Sequence, residues 1–215
     1  MKYKAGFDNN GQINGIEVVQ HTDAGAATDL TMAILERAMM HADNAYFIPN
    51  IRIIGKAWFT NLPSNTAFRG FGGPQGMACI EQIIDRIARK LKKDPIEIRK
   101  NNFYQEGKRA YTPYGQKVEN NRLEPLSKIL LKSSAYKKRR IAINSFNANN
   151  EFFKKGMAIT PVKFGISFTT SFLNQAGALV HIYKDGTVLV NHGGTEMGQG
   201  LHTKIIQIAA MELGI

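Results

Sequence analysis

At 215 residues, 43% apolar, 9% aromatic and 21% charged, the chain can bury one core or two modest ones and is neither disordered nor collagen-like. Its one cysteine, Cys79, excludes an intrachain disulfide, a thiolate zinc site and an iron–sulfur cluster held by this chain alone. The net charge of +11 gathers in two blocks, 86–93 and 137–140, neither interleaved with aromatics as base stacking requires, so solvated basic faces are expected before an acidic docking partner, and no nucleic acid. No apolar run approaches the length of a bilayer and Met1-Lys2-Tyr3-Lys4 opens no signal-peptide core. A cytoplasmic protein with no membrane contact is the expectation.

In chain order, Lys2–Phe7 and 12–21 read as strands joined by the turn residues Asp8-Asn9-Asn10-Gly11. Residues 30–40 have helical spacing, and Pro49 with Ile51–Phe59 suggests an extended return. The clearest helix spans 75–91, where Met77, Ile80, Ile83, Ile84, Ile87 and Leu91 share one face. A short helix follows Pro95, over 95–101, and 123–132 is amphipathic. Residues 134–155 turn to Lys, Arg, Asn and Ser and read as a connection. Beyond it come a second hairpin (178–183, 187–192), a Gly-rich loop (193–200) and a helix over 202–213 that Gly214 can cap. The fold class is α/β of the α+β type, two lobes of mixed sheets with packed helices. The first lobe is 1–133, the connection 134–155 and the second lobe 156–215. A lobe of about sixty residues cannot easily close its own sheet, so the chain is expected to be part of something longer.

Two loops carry the chemistry. The segment 61–76 joins a strand to the best helix, with glycines at 70, 72, 73 and 76 and, set among them, the cation Arg69 and the rings of Phe68 and Phe71. Such a loop lets backbone approach a ligand and places a helix start beside an anion. It is neither a G-x-G-x-x-G fingerprint nor a P-loop, and a tight turn with a buried Phe explains it as well. The second loop, Gly193-Gly194-Thr195-Glu196-Met197-Gly198-Gln199-Gly200, again sits between strand and helix, a geometry used for phosphate or other anionic groups. Gln199 could read a heterocycle through both its donor and its acceptor. Glu196 is expected to cap the next helix rather than to catalyse. His192 and His202 lack a third ligand at metal spacing, and they, like His41, are read as structural.

Together and in this order, 60–77 (TNLPSNTAFRGFGGPQGM) and the pieces KFGISFTTSFLNQAGA and VNHGGTEMGQGLHT within 162–203 closely resemble the molybdopterin-binding domain of the xanthine oxidase family of molybdenum hydroxylases. The resemblance runs over nearly the whole chain and is weakest around 105–155. It implies hydroxylation of an electron-poor carbon with oxygen from water, at a molybdenum held by a pterin cofactor (Mo-molybdopterin). Electrons would leave through iron–sulfur clusters to FAD and NAD in partner domains or subunits. By the same resemblance, Arg69 (backbone, near molybdenum) and Gly70 lie at the metal centre, while Met197, Gly198 and Gln199 bind the pterin. Phe71 and Phe168 hold the substrate ring and Thr169 lies nearby. Arg37, in Glu36-Arg37-Ala38 followed by His41 and Asp43-Asn44, matches the arginine that faces a purine (hypoxanthine or xanthine) and stabilises charge pushed onto it during attack. Relatives acting on aldehydes usually lack it, so an aldehyde or another N-heterocycle is the alternative substrate, and a non-catalytic binding module the alternative class. The family's glutamate base is expected beyond Ile215 and further pocket residues before Met1, in the remainder of the molybdenum domain. The isolated chain is therefore expected to be inactive.

Overall fold

The computed structural model describes residues 1–215 and divides them into two compact units, Met1–Gly165 and Ile166–Ile215. In the first, β1 (Lys2–Phe7) and β2 (Ile13–Gly25) form the expected antiparallel hairpin. The Asp8 carboxylate closes its turn, accepting from the Asn10 and Gln12 amides at 2.9 Å each. Strand β2 runs four residues further than the pattern predicts. The reason is a parallel partner: β3 (Ile51–Phe59) pairs with β2 from Ile16↔Ile51 to Gly25↔Phe59, giving a mixed sheet of order β1-β2-β3. Helix α1 (Thr31–Met40) makes the crossover that a parallel pair requires.

Helix α2 (Gly73–Leu91) covers the sheet. Ile80, Ile83, Ile84 and Ile87, at helical spacing, meet Ile13, Ile16 and Val18 from β2, with Tyr46, Ile48, Ile98 and Phe103 closing the core. Each fully buried isoleucine contributes on the order of 2 kcal/mol. Asp94 caps α3 (Pro95–Asn102) by accepting from the Ile96 amide at 2.9 Å. Asn102, fully buried, ties α3 to the hairpin: it accepts from the Ile13 amide and donates to the Gly11 and Ile98 carbonyls, all at 2.8 Å. A second buried knot centres on Glu81. It accepts from Arg99 Nε at 2.8 Å, Tyr46 Oη at 2.5 Å and Asn44 Nδ2 at 3.0 Å.

Helix α4 (Leu123–Ser133) follows, and the 134–155 stretch, expected as a connection, holds α5 (Tyr136–Ala148). Tyr136 is the buried residue of α5 and donates to Asp94 Oδ1 at 2.7 Å; burial and that carboxylate push its phenol up to about 12. The compact units part downstream of this helix, at Gly165/Ile166.

The second unit pairs β4 (Ala178–Ile182) with β5 (Val188–His192) in the expected antiparallel hairpin, then runs through the Gly-rich loop into α6 (Leu201–Leu213). Gly214, at φ 73°, ends α6 in the left-handed cap its sequence suggests. The architecture is thus the anticipated α+β mixture of small sheets and packed helices. No helix is long and apolar enough to cross a membrane.

Candidate functional site

In the first unit the site is built on the last turn of α1. Arg37 is only 6% exposed although it is charged. Its Nη1 donates to the Gly165 carbonyl, and its guanidinium carbon lies 5.7 Å from the Phe71 ring centroid and 5.3 Å from that of Phe164. Burial lowers its pKa from the usual arginine value.

The 68–73 turn delivers Phe71. Its amide donates to the Phe68 carbonyl at 2.8 Å, and Gly70, Phe71 and Gly72 all have positive φ, at 94°, 50° and 93°. A phenylalanine in that region is strained, by roughly 1–3 kcal/mol. Arg69, exposed, and Gly70, half-buried, precede it just before α2 begins. The glycines of this loop prove to have a packing role that spacing did not reveal. A Cβ at Gly72 would lie 2.0 Å from the Ile34 carbonyl oxygen, and one at Gly76 would lie 2.2 Å from that of Ala38. They let the turn and the start of α2 rest directly on the backbone of α1, so Phe71 meets Arg37 because the helices touch.

His41, read as structural, is so. It is buried; its Nδ1 lies 2.8 Å from the Arg37 carbonyl and its Nε2 accepts from the Gly165 amide at 3.0 Å. Since Nε2 accepts, Nδ1 carries the proton. Two neighbours had no role assigned from sequence: Phe164, tilted against His41 at 5.0 Å, and Asn44, whose amide pairs with the Pro161 carbonyl (2.9 Å) and the Lys163 amide (3.1 Å). The run of polar residues inside a buried turn, His41-Ala42-Asp43-Asn44, was the available signal.

In the second unit, Phe168 is held by Asn174, which accepts from its amide at 2.6 Å and donates to its carbonyl at 3.0 Å. The Thr169 hydroxyl is buried and makes no hydrogen bond. The 193–200 loop is organised by Glu196, as the helix-cap reading anticipated. Its carboxylate accepts from the amides of Gly198 (2.7 Å), Gly200 (3.1 Å), Leu201 (2.5 Å) and His202 (3.4 Å). Desolvation opposes ionisation, but these amides outweigh it and hold the carboxyl down at about 2. Gln199 is turned onto its own loop, accepting from the Met197 amide at 2.6 Å and donating to the Thr195 carbonyl at 2.7 Å. His192 and His202 face each other at 3.2 Å, with His192 Nδ1 accepting from the Gly194 amide.

The residues fit an anionic pterin better than a metal bound by side chains. The Gly198, Gly200, Leu201 and His202 amides are taken by Glu196, and the loop leaves its backbone open to a ligand at Gly193 and Gly200, where a Cβ would meet nothing within 4 Å. No group of three His, Cys, Asp or Glu stands ready to hold a metal ion.

Two family models described as "Molybdopterin cofactor-binding domain" match residues 1–103 and 129–215. Over 214 residues the chain is 53% identical to xanthine dehydrogenase 1 of Arabidopsis thaliana and 52% identical to the xanthine dehydrogenase/oxidase of Gallus gallus. The chain belongs to the molybdopterin-binding domains of the xanthine dehydrogenase family. All of this chain is covered in both comparisons, but it spans only 16% of the length of either relative. Among solved structures, quinoline 2-oxidoreductase from Pseudomonas putida 86 superposes with a TM-score of 0.73 at 25% identity, covering 97% of this chain and 28% of that one. The aldehyde oxidoreductase of Desulfovibrio gigas gives 0.64 at 25% identity over 87% and 20%. The family's enzymes are molybdenum-dependent oxidoreductases.

Proposed function

We propose that this chain supplies part of the cofactor and substrate pocket of a hydroxylase that converts hypoxanthine or xanthine with oxygen from water. The observation that carries the reading is Arg37, a buried cation anchored to the Gly165 carbonyl and flanked by the Phe71 and Phe164 rings. A guanidinium fixed in a partly dry setting stabilises negative charge developing on a purine's oxygen and nitrogen atoms far more than one in water. Its planar fork suits the edge of a heterocycle, and an aldehyde offers no such edge.

Phe71 provides a flat wall that orients a planar ring and excludes water. By the resemblance, Phe168 and Thr169 would also contact the substrate. The backbone at Arg69 and Gly70 would lie by the molybdenum, and Met197, Gly198 and Gln199 would hold the pterin. For that, Gln199 exchanges its contacts within the loop for contacts to the ring. When bound, the molybdenum–pterin group supplies oxygen transfer and accepts the electrons, which pass to iron–sulfur clusters, FAD and NAD in partner domains or subunits. None of the site's own carboxylates is proposed as the base. Glu196, held near 2 by backbone amides, is too weak a base for neutral pH, and Asp43 and Glu81 are committed to Lys163 and Arg99. The isolated chain is inactive on this reading.

The test is to exchange this chain for the matching 214 residues of the Arabidopsis thaliana relative and to measure molybdenum, pterin and purine hydroxylation. A loaded protein that hydroxylates a purine supports the proposal. A loaded protein that oxidises only aldehydes supports the other substrate, and one that never takes up the cofactor contradicts the pocket assignment.

A further inference from the structure

The turn that follows α1 makes more contacts than a chain reversal needs. Asn44 treats the 161–163 backbone as a paired strand, donating to the Pro161 carbonyl and accepting from the Lys163 amide. Asp43, 1% exposed, binds the Lys163 ammonium and accepts from the Tyr104 hydroxyl. The same ammonium donates to Tyr114 Oη at 3.2 Å and lies 5.3 and 5.2 Å from the Tyr104 and Tyr114 ring centroids. Two residues on, the Gly165 amide meets His41 Nε2, and the Gly165 carbonyl receives Arg37 Nη1. Residues 161–165 are thereby strapped across the end of α1 by three polar side chains of one turn, His41, Asp43 and Asn44, and by the arginine before them.

These bonds close a ring. The Arg37 carbonyl accepts from His41 Nδ1; His41 Nε2 accepts from the Gly165 amide; the Gly165 carbonyl accepts from the Arg37 side chain. We infer that the His41–Asn44 turn is a clamp that positions Arg37, with the Nδ1–H tautomer of His41 holding the Gly165 amide and thereby the residue whose carbonyl, on the other side of its Cα, receives the guanidinium. His41 is thus a positioning residue acting through Gly165, and Asp43 and Asn44 hold the strap that carries it. The inference rests on the purine reading only for what Arg37 is aimed at; the clamp itself needs neither substrate nor cofactor.

The ring works in one protonation state. A proton on Nε2 would set donor against the Gly165 N–H, inside a shell that already holds the Arg37 and Lys163 cations. Burial is the largest force keeping His41 neutral; the Arg37 carbonyl and Asp43 favour the proton, while the Lys163 and Arg37 charges oppose it, and the net pKa is lowered. The clamp is therefore closed at neutral pH and opens as pH falls below the ordinary histidine range.

The experiment is nitrogen-15 NMR of the 215-residue chain, following the His41 ring nitrogens, the Gly165 amide and the Arg37 guanidinium signals across pH. The expected result is a protonated Nδ1 and bare Nε2 at neutral pH, with protection of the Gly165 amide and restricted rotation of the Arg37 side chain lost together as His41 titrates. His41→Leu should speed Gly165 exchange about tenfold, the loss of one hydrogen bond. His41→Gln, whose side-chain oxygen can accept from Gly165, should restore most of it. An Nε2–H tautomer in the wild type, or Arg37 signals indifferent to His41 titration, overturns the clamp. Those two wild-type readouts stand even if the leucine variant does not fold. Failure of purine turnover in the exchanged protein would leave them untouched, so the two readings fail separately.

Discussion

The Arg37 guanidinium and the Phe71 ring lie 5.7 Å apart, brought together by glycines that let two helices touch. The cation comes from the end of α1, and the ring from a turn with three successive positive φ values just before α2. Neither is placed by its own local structure alone. Replacing the ring while keeping the turn separates its two uses. In the exchanged protein, Phe71→Leu is expected to raise the purine KM about three- to tenfold, the worth of a lost aromatic wall, with little change in melting temperature. Steady-state kinetics beside a thermal melt check this; an unchanged KM would remove Phe71 from the substrate.

The closeness of α1 and α2 makes its own prediction. Gly76→Ala pushes a methyl to 2.2 Å from the Ala38 carbonyl oxygen and should cost about 1–3 kcal/mol, read by urea denaturation. Gly156, where a Cβ meets nothing within 4 Å, is the control and should move stability by less than about 0.5 kcal/mol.

Glu81 holds the first unit's buried polar knot. Its partner Arg99 has a side chain 5% exposed, and burial, outweighed by Glu81, leaves the Arg99 pKa raised. Glu81→Ala strands that cation together with the Tyr46 hydroxyl, so a loss of about 3–5 kcal/mol is expected in the same denaturation experiment. A loss below about 1 kcal/mol would mean that water reaches Arg99.

Glu196 gives a pH signature. Its folded pKa, about 2, lies below the ordinary glutamate value, so its contribution to the 193–200 loop is present above that ordinary value and is lost as pH falls towards 2. A carboxyl carbon-13 titration should show its midpoint near 2, with the Gly198 and Gly200 amides shifting in step. Glu196→Gln should abolish that step. A midpoint at the ordinary value would mean that the loop does not close on this side chain.

Much of the fold is local and so was readable. The Asp8–Gly11 turn, the isoleucine stripe of α2 and the Gly214 cap each need only a few neighbouring residues. The parallel β2–β3 pairing is not local, and it lengthened β2 beyond its own alternation. Helix α5 escaped notice because Tyr136 is its one buried residue, four cations follow it at 137–140, and its later apolar residues Ile141, Ile143 and Phe146 are not buried. At the site, both loops stood out as motifs and Arg37 only through the family resemblance, while the bond from Gly165 to His41 spans 124 positions and leaves no periodic trace. The packing duty of Gly72 and Gly76 was hidden for the same reason, since a glycine's spacing does not say what it approaches.

The most direct test of the account is the ratio of purine to aldehyde kcat/KM in the exchanged, molybdenum-loaded protein before and after Arg37→Met. Purine turnover is expected to fall about a hundredfold or more while aldehyde turnover and molybdenum content are kept. Equal loss on both substrates, or no loss on either, would contradict it.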